Sequence, residues 1–352
     1  MNALTFVARV TRWRDWGPGK VPVLCSIVFY ILLAERALSP ARLRDAALFI
    51  LFAALHSAFG YMINDWGDRD LDRAHGKPNA LADMRPRHSL LVLTITGGLA
   101  LLSGLPFASR PWVLPLWIAW AFTAPAYSLK PLRLKERGKM GLLFSFGAQW
   151  CLPVLLAFTA LGRLGTWDIA LFVPAYSAGG ATLEIAHQRH DRARDRSTAT
   201  GTWGARASSD SVERLLHIAL WLDRLGLGMV VLAIAWNLPI LQIGRWAIPT
   251  GLPPVLIYSV LLFLVIHGTQ SAGEGQEVVD PYYSTERTPA TLLHETLPNL
   301  VIPTYLLGVA TLYQPLVGIM LCAFLAWRII LGQADWRWPL RALRAAYPLK
   351  RE

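Results

Sequence analysis

Charged side chains are scarce in this chain of 352 residues, because Asp, Glu, Lys and Arg together make up only 16% of it. Ordinary soluble proteins carry roughly 25% of these residues. Hydrophobic residues account for 54% of the chain, and its mean hydropathy is +0.38. This composition argues against a soluble protein and indicates an integral membrane protein.

Cysteine is equally scarce, and its distribution excludes a disulfide or cysteine-metal framework. Cys25, Cys151 and Cys322 lie in different apolar segments without paired spacing. The formal net charge is +11, but the basic residues lie beside apolar segments and form no separate domain. We therefore expect them to face anionic membrane lipid, and we expect no nucleic-acid partner.

Long apolar runs recur from end to end, each long enough to cross a hydrocarbon core about 30 Å thick. The predicted spans cover residues 21–38, 43–63, 89–107, 111–129, 140–161, 167–187, 213–236, 247–269, 297–312 and 315–332. Only Tyr-Gln-Pro separates the last two, so they form either one kinked helix or a hairpin. The prediction is an all-α, polytopic membrane bundle or barrel of nine or ten helices, in a single domain 1–352. Its core covers about residues 20–332, with basic tails at both ends.

Lysine and arginine concentrate in alternate connections, which orients the predicted spans. The connections on one side are 1–20, 64–88, 128–140, 186–214, 269–296 and 333–352, and all of them except 269–296 are rich in lysine and arginine. Because cytoplasmic loops carry the excess of these residues, we expect those segments on the cytoplasmic side. The chain would then lie in a membrane such as the bacterial inner membrane, with both acidic clusters described below facing the cytoplasm.

The first acidic cluster, NDWGDRDLD, directly follows an apolar run. Asn64, Asp68 and Asp72 are spaced four residues apart, so all three share one face if the helix continues. Clustered carboxylates repel one another and need a compensating cation. A solvated acidic loop is the plainer alternative.

A second cluster weakens that alternative. Glu184, Gln188, Asp191 and Asp195 again share a helical face where a span meets the same side of the membrane. Oxygen ligands without histidine or cysteine favour a hard cation such as Mg²⁺, which binds through a few carboxylates plus a substrate phosphate. The two faces are therefore candidates for one magnesium site.

The motifs NDxxDxxxD and DxxxD, with YSLKPLRLKERG between them, resemble the signature of the UbiA superfamily of intramembrane prenyltransferases. The resemblance covers about residues 20–270 and implies a helical barrel whose motifs face each other across a cytoplasmic mouth. The ligands it implies for Mg²⁺ and an isoprenoid diphosphate are Asn64, Asp68, Asp72, Asp191 and Asp195. Many family members carry an Arg-Pro pair after the first motif. This chain reads GKPNALADMRPRHS there, so Lys77, Arg85 or Arg87 would replace it.

Several further residues are candidates for handling the diphosphate and the allylic cation. The basic run contributes Lys130, Arg133, Lys135 and Arg137, which could clamp phosphate oxygens, as could Lys77. Aromatic faces stabilise a delocalised cation, and the first aromatic candidates are Tyr61, one turn before Asp65, and Tyr127, at the end of the fourth span. We assign Asp68, Asp191 and Tyr127 to catalysis. A basic run is also typical of any cytoplasmic loop.

The resulting hypothesis is a Mg²⁺-dependent transferase that moves a prenyl group from a prenyl diphosphate to a hydrophobic acceptor, with an aromatic or ring-containing acceptor favoured. One alternative keeps the diphosphate site but cyclises the cation, as a membrane terpene cyclase. Another is a cation-coupled transporter, whose acids should lie near the bilayer midplane. Here both acidic clusters lie at helix ends.

Overall fold

The computed structural model describes residues 2–198, 200–271, 280–283 and 288–330, and nearly all of this chain is helical. The α-helices are α1 (Ala3–Val10), α2 (Trp13–Ala34), α3 (Pro40–Ala74), α4 (Pro86–Gly104), α5 (Val113–Ser128), α6 (Lys139–Phe146), α7 (Leu152–Ala160), α8 (Ile169–Ser197), α9 (Trp203–Arg206), α10 (Ser209–Asn237), α11 (Leu252–Ser271), α12 (Pro289–Thr291), α13 (Ile302–Tyr313) and α14 (Val317–Ile330). The predicted basic tail at 333–352 lies outside the described residues.

Apolar helices account for all ten predicted spans. A π-helical segment, Gly147–Cys151, joins α6 to α7, and another, Leu292–Val301, joins α12 to α13. With these pairs counted as single spans, seven helices of the described chain are long and apolar enough to cross a membrane. The shorter α5, α11 and α14 complete the set of ten. The protein is an integral, multi-pass membrane protein with an all-α fold.

The end of the apolar region is a hairpin. Helices α13 and α14 are separate and pack against each other across a three-residue link, residues 314–316. Their contact is close enough that a methyl group on Gly318 would come within 3.3 Å of the Thr311 side chain. The hairpin is therefore the correct choice between the two alternatives.

The N-terminus and one connection differ from the prediction. Helix α2 begins at Trp13, well before residue 21, and buries Trp16 and Lys20. The rings of Trp16 and Tyr61 stack with their centroids 6.1 Å apart, so the first turn of α2 packs against α3. Between α10 and α11 the chain forms a small antiparallel hairpin, β1 (Ile240–Ile243) and β2 (Trp246–Pro249). Its turn contains Gly244 at a φ of +59°.

The main hydrophobic core lies between the helix halves that are remote from the acidic motifs. It includes Phe49 and Phe52 from the first half of α3 and Phe172 from the first turn of α8. The second halves of α3 and α8 carry the motifs. Because the apolar side chains fill one end of the bundle, the polar residues surround an open space at the other.

Candidate functional site

A cavity of about 610 Å³ opens among α3, α5, α6 and α8. Seven of the predicted site residues line it, namely Asn64, Asp68, Lys77, Tyr127, Lys135, Asp191 and Asp195. Two motifs that are more than 100 residues apart thus contribute to one space. The structure brings together the two acidic faces, one basic segment and the predicted tyrosine.

Helix α3 positions the first motif because it continues unbroken to Ala74. Asn64 and Asp68 face the cavity, as their spacing predicts. Asp72 does not line it, since its carboxylate is buried and accepts a hydrogen bond of 2.8 Å from Asn79 Nδ2. Asp65 turns away to Arg12, at 3.1 Å.

Two cations hold the Asp68 carboxylate. Lys135 Nζ lies 2.5 Å from one oxygen, and Arg133 Nη2 lies 2.8 Å from the other. Lys135 also donates to Asn64 Oδ1 at 2.9 Å. Burial lowers the pKa of the Lys135 ammonium, while Asp68 opposes that shift. Lys135 therefore links two predicted metal ligands at the wall of the cavity.

Two close approaches place the Lys135 segment against the motif. At Gly67, an added Cβ would lie 2.7 Å from the carbonyl oxygen of Ser128, so α3 and the end of α5 touch there. At Gly141, an added Cβ would lie 2.9 Å from the Cα of Lys135. Only glycine leaves room for both contacts.

The second motif lies on α8, which is helical to Ser197 as predicted. Asp191 lies 3.7 Å from both His187 and Arg194. Asp195 accepts a hydrogen bond of 2.7 Å from Thr202 Oγ1. Both acids line the cavity, and Lys77 is a basic residue of the same wall.

The donors at the cavity suit a metal that is shared with a phosphate ligand. In the described part of the chain, no three His, Cys, Asp or Glu side chains are close enough to form a metal site by themselves. Mg²⁺ needs no such cage, because it binds through one or two carboxylates plus waters and phosphate oxygens. The oxygens of Asn64, Asp68, Asp191 and Asp195 fit that requirement.

The remaining basic candidates lie away from this cavity. Lys130 and Arg133 line a neighbouring cavity of about 590 Å³. Arg137 is exposed and donates to the backbone carbonyls of Leu132 and Pro131. Arg133 contacts the motif through Asp68, whereas Lys130 and Arg137 make no such contact among the described residues.

Several cavity residues were missed by the sequence reasoning, among them Lys20 and Tyr283. Lys20 was counted with the basic N-terminal tail, but it lines the cavity inside α2. Tyr283 follows α11 and also lines it. Its hydroxyl lies 2.9 Å from His187 Nδ1, and its ring stacks 4.5 Å from that of His190. The acidic residues of the segment GEGQEVVDPYYSTERT predict a loop that closes over the site, and of this segment the structure describes only residues 280–283 and 288.

These features define a class of protein: helical membrane bundles with two acidic motifs that face each other around an inner cavity. The sequence profile of the UbiA prenyltransferase family matches residues 22–221, which is more than half of the chain. The chain is a member of the UbiA prenyltransferase family.

Solved structures show the same fold at low sequence identity. A UbiA homolog from Archaeoglobus fulgidus bound to DMAPP and Mg²⁺ is 18% identical, with a TM-score of 0.56 over 87% of this chain and 99% of that one. The same homolog bound to GPP and Mg²⁺ gives equal values. A digeranylgeranylglyceryl phosphate synthase is 14% identical, with a TM-score of 0.50 over 93% of this chain and 98% of that one. Comparison with curated proteins gave no significant match.

Proposed function

We propose that this protein is a Mg²⁺-dependent intramembrane prenyltransferase that transfers an isoprenoid group from a prenyl diphosphate to a ring-containing acceptor. In this reaction the allylic C–O bond breaks and diphosphate leaves with the electron pair. An electron-rich carbon or hydroxyl of the acceptor bonds to the allylic carbon and loses a proton. The active site faces the cytoplasm.

The observation that carries the proposal is the shared cavity of the two motifs. Asp68 on α3 and Asp191 on α8 line the same space as Lys135. Family membership and the ligands of the Archaeoglobus fulgidus homolog support a prenyl diphosphate and Mg²⁺ as the occupants. Mg²⁺ held by these oxygens would neutralise the diphosphate and make it a better leaving group.

Each proposed residue has a distinct task. Asn64, Asp68, Asp191 and Asp195 hold the metal with the diphosphate, and Asp72 braces the motif through Asn79. Lys135 and Lys77 stabilise the negative charge that builds on the leaving group. The aromatic ring of Tyr127 lines the cavity and stabilises the allylic cation.

Substitution of one acid from each motif tests the proposal. Asp68→Asn and Asp191→Asn should each lower turnover of a radiolabelled geranylgeranyl diphosphate by about 100-fold or more, because each removes charge that stabilises the transition state. Asp210→Asn, an exposed site at the start of α10, is the matched control. Unchanged turnover in both motif variants contradicts the proposal.

The cavity interior favours a transferase over a cyclase. Lys20, Gln149 and Glu184 give it a polar inner wall, which suits a polar acceptor, whereas a cyclase binds no acceptor and places only a hydrocarbon tail there. The mass of the product distinguishes the two, since cyclisation adds no acceptor moiety. A transporter is disfavoured because Asp68 and Asp191 lie close to the ends of their helices.

A further inference from the structure

A second cavity, of about 590 Å³, lies beside the one that contains the acidic motifs, which we call the motif cavity. Three parts of the chain form it: the C-terminal part of α3, the connection between α5 and α6, and the residues at the end of α8. Ser128 and Thr200 line both cavities. The two spaces therefore share part of their walls.

The wall of the second cavity carries a surplus of positive charge. Its charged residues are the cations Arg69, Lys130 and Arg133 and the acids Asp70 and Glu136. Each acid has a cationic partner within this wall, because Asp70 lies 3.4 Å from Arg69 and Glu136 lies 2.5 Å from Arg133. Three cations against two acids leave one positive charge, which is that of Lys130. An anion in this cavity would therefore meet a net attraction.

Two of these cations have hydrogen-bonding capacity to spare. Lys130 is exposed, and it makes no ion pair or side-chain hydrogen bond within the part of the chain that the structure describes. The Arg69 guanidinium lies 4.6 Å from the centre of the Trp66 ring. Among the described residues, its one hydrogen bond runs from Nε to Asp70 at 3.4 Å. The two terminal nitrogens of Arg69 and the ammonium of Lys130 are thus available to a ligand.

Arg133 removes the main electrostatic obstacle to an anion here. The last carbonyl groups of a helix carry partial negative charge, which repels anions, and Ser128 is the last residue of α5. Arg133 Nη1 donates to the carbonyl oxygens of Ser128 and Gly67 at 3.2 and 3.1 Å. Its Nη2 donates to Asp68 in the motif cavity. Because Arg133 caps these oxygens, the end of α5 does not oppose an anion held by Lys130.

We propose that the second cavity binds a phosphate-bearing anion between Arg69 and Lys130. A phosphate group has several acceptor oxygens, so it can bind a planar guanidinium and an ammonium at the same time. Inorganic diphosphate released in the motif cavity is one source, since the two cavities share Ser128 and Thr200. The headgroup of an anionic lipid is the other. Such a site would exist whether or not the motif cavity carries out prenyl transfer.

Equilibrium dialysis with radiolabelled inorganic diphosphate tests the site, in purified protein reconstituted in phosphatidylcholine nanodiscs. EDTA removes divalent cations, so the proposed magnesium site cannot retain the anion. Salt at about 0.1 M screens charges that lie more than about 10 Å away. The wild type should bind diphosphate, and Lys130→Met and Arg69→Met should each weaken binding by about tenfold or more, because each removes a charged hydrogen bond. Lys130→Arg should keep most of the affinity.

Two control variants locate the bound anion. Lys139→Met removes an exposed lysine at the start of α6, and Lys135→Gln removes a cation that lines the motif cavity but not the second one. Both should bind diphosphate as the wild type does in EDTA. Loss of binding in Lys135→Gln with binding retained in Lys130→Met overturns the proposal, since the anion would then occupy the motif cavity.

A second arm separates the two sources of phosphate. Protein from nanodiscs that contain phosphatidylglycerol is extracted in detergent, and mass spectrometry counts the phosphatidylglycerol retained per protein. If diphosphate does not bind but Lys130→Met loses retained phosphatidylglycerol, the site holds a lipid headgroup and the proposal stands. Absence of diphosphate binding together with equal lipid retention in wild type and variant overturns it. Absence of Mg²⁺-dependent binding of geranylgeranyl thiodiphosphate, an unreactive donor analogue, contradicts the proposed function alone.

Discussion

At the scale of single residues, Lys135 contacts two residues of the first motif with its one ammonium group. It lies 2.5 Å from Asp68 and 2.9 Å from Asn64. Lysine can contact carboxylate and phosphate oxygens with different N–H groups at the same time. Lys135 is therefore placed to exchange contacts with Asp68 for contacts with the proposed diphosphate.

Replacement of Lys135 by glutamine should weaken the binding of geranylgeranyl thiodiphosphate by about tenfold or more, because one charged hydrogen bond to phosphate is lost. Affinity can be measured by equilibrium dialysis with Mg²⁺ at fixed pH. Lys139→Gln should bind as the wild type does. Equal affinities of the two variants would show that Lys135 serves only to neutralise Asp68.

At the scale of elements, the connection between α3 and α4 is organised by one buried amide. Asn79 donates to the backbone oxygen of Asp65 and to the Asp72 carboxylate, both at 2.8 Å. Its oxygen accepts from the backbone N–H groups of Leu81 and Ala82, both at 3.0 Å. Asn79 thereby fixes the segment that carries Lys77 to the end of the first motif.

Asn79→Ala should lower the melting temperature, because it leaves Asp72 and two backbone N–H groups without these partners. The Ala82 N–H keeps its bond to the backbone oxygen of residue 79, and Asp72 keeps Lys77 at 3.8 Å, so the full cost of about 1–3 kcal/mol falls on the Leu81 N–H. Arg87→Ala, on an exposed residue of the same region, should change it little. Thermal unfolding in detergent checks both, and similar melting temperatures for the two variants would contradict the assigned role of Asn79.

The sequence predicted the helices well, but it predicted the contacts between different segments less well. Apolar length located ten spans, and the spacing of Asn64 and Asp68 placed them on the cavity face. The same spacing assigned Asp72 to that face, but Asn79 from the next connection binds it instead. Periodicity describes one helix, whereas such a contact depends on how two segments pack. Lys20 was missed for a similar reason, since the Trp16 contact that extends α2 is tertiary.

At the scale of the whole molecule, a buried polar network ties the bundle together at the end opposite to the motifs. Arg163 bonds Asp168 at 2.7 Å, contacts Glu35 and lies 3.3 Å from Asn237. Tyr30 donates to the same aspartate. The network joins α2, the connection before α8, and the end of α10.

Arg163→Met should destabilise the fold by about 3–5 kcal/mol, because it leaves the Asp168 charge buried without its cation. Arg245→Met, in the exposed β hairpin, should have little effect. Thermal unfolding measures the change, and affinity for the donor analogue should stay at the wild-type value below the transition. A loss of affinity in the folded variant would mean that this network also shapes the cavity.

The orientation of the bundle is open to a direct test. With the native cysteines replaced by alanine, Gln242→Cys in the β hairpin should react with an impermeant maleimide from outside intact bacterial cells. Arg87→Cys should react only after the cells are opened, because the proposed orientation places the basic connections in the cytoplasm. The reverse pattern would place the motifs on the outer side.

Helix α3 has 35 residues, so it measures about 52 Å, compared with about 30 Å of hydrocarbon. The excess length extends the end that carries Asp68 toward the aqueous boundary, while the first half of the same helix packs Phe49 and Phe52 into the apolar core. Lipids with longer tails would raise that boundary toward the carboxylates, and shorter ones would lower it. Bilayer thickness should therefore set how much water the cavity beside Asp68 retains, so the lipid chosen for reconstitution should change the hydration of the proposed diphosphate site.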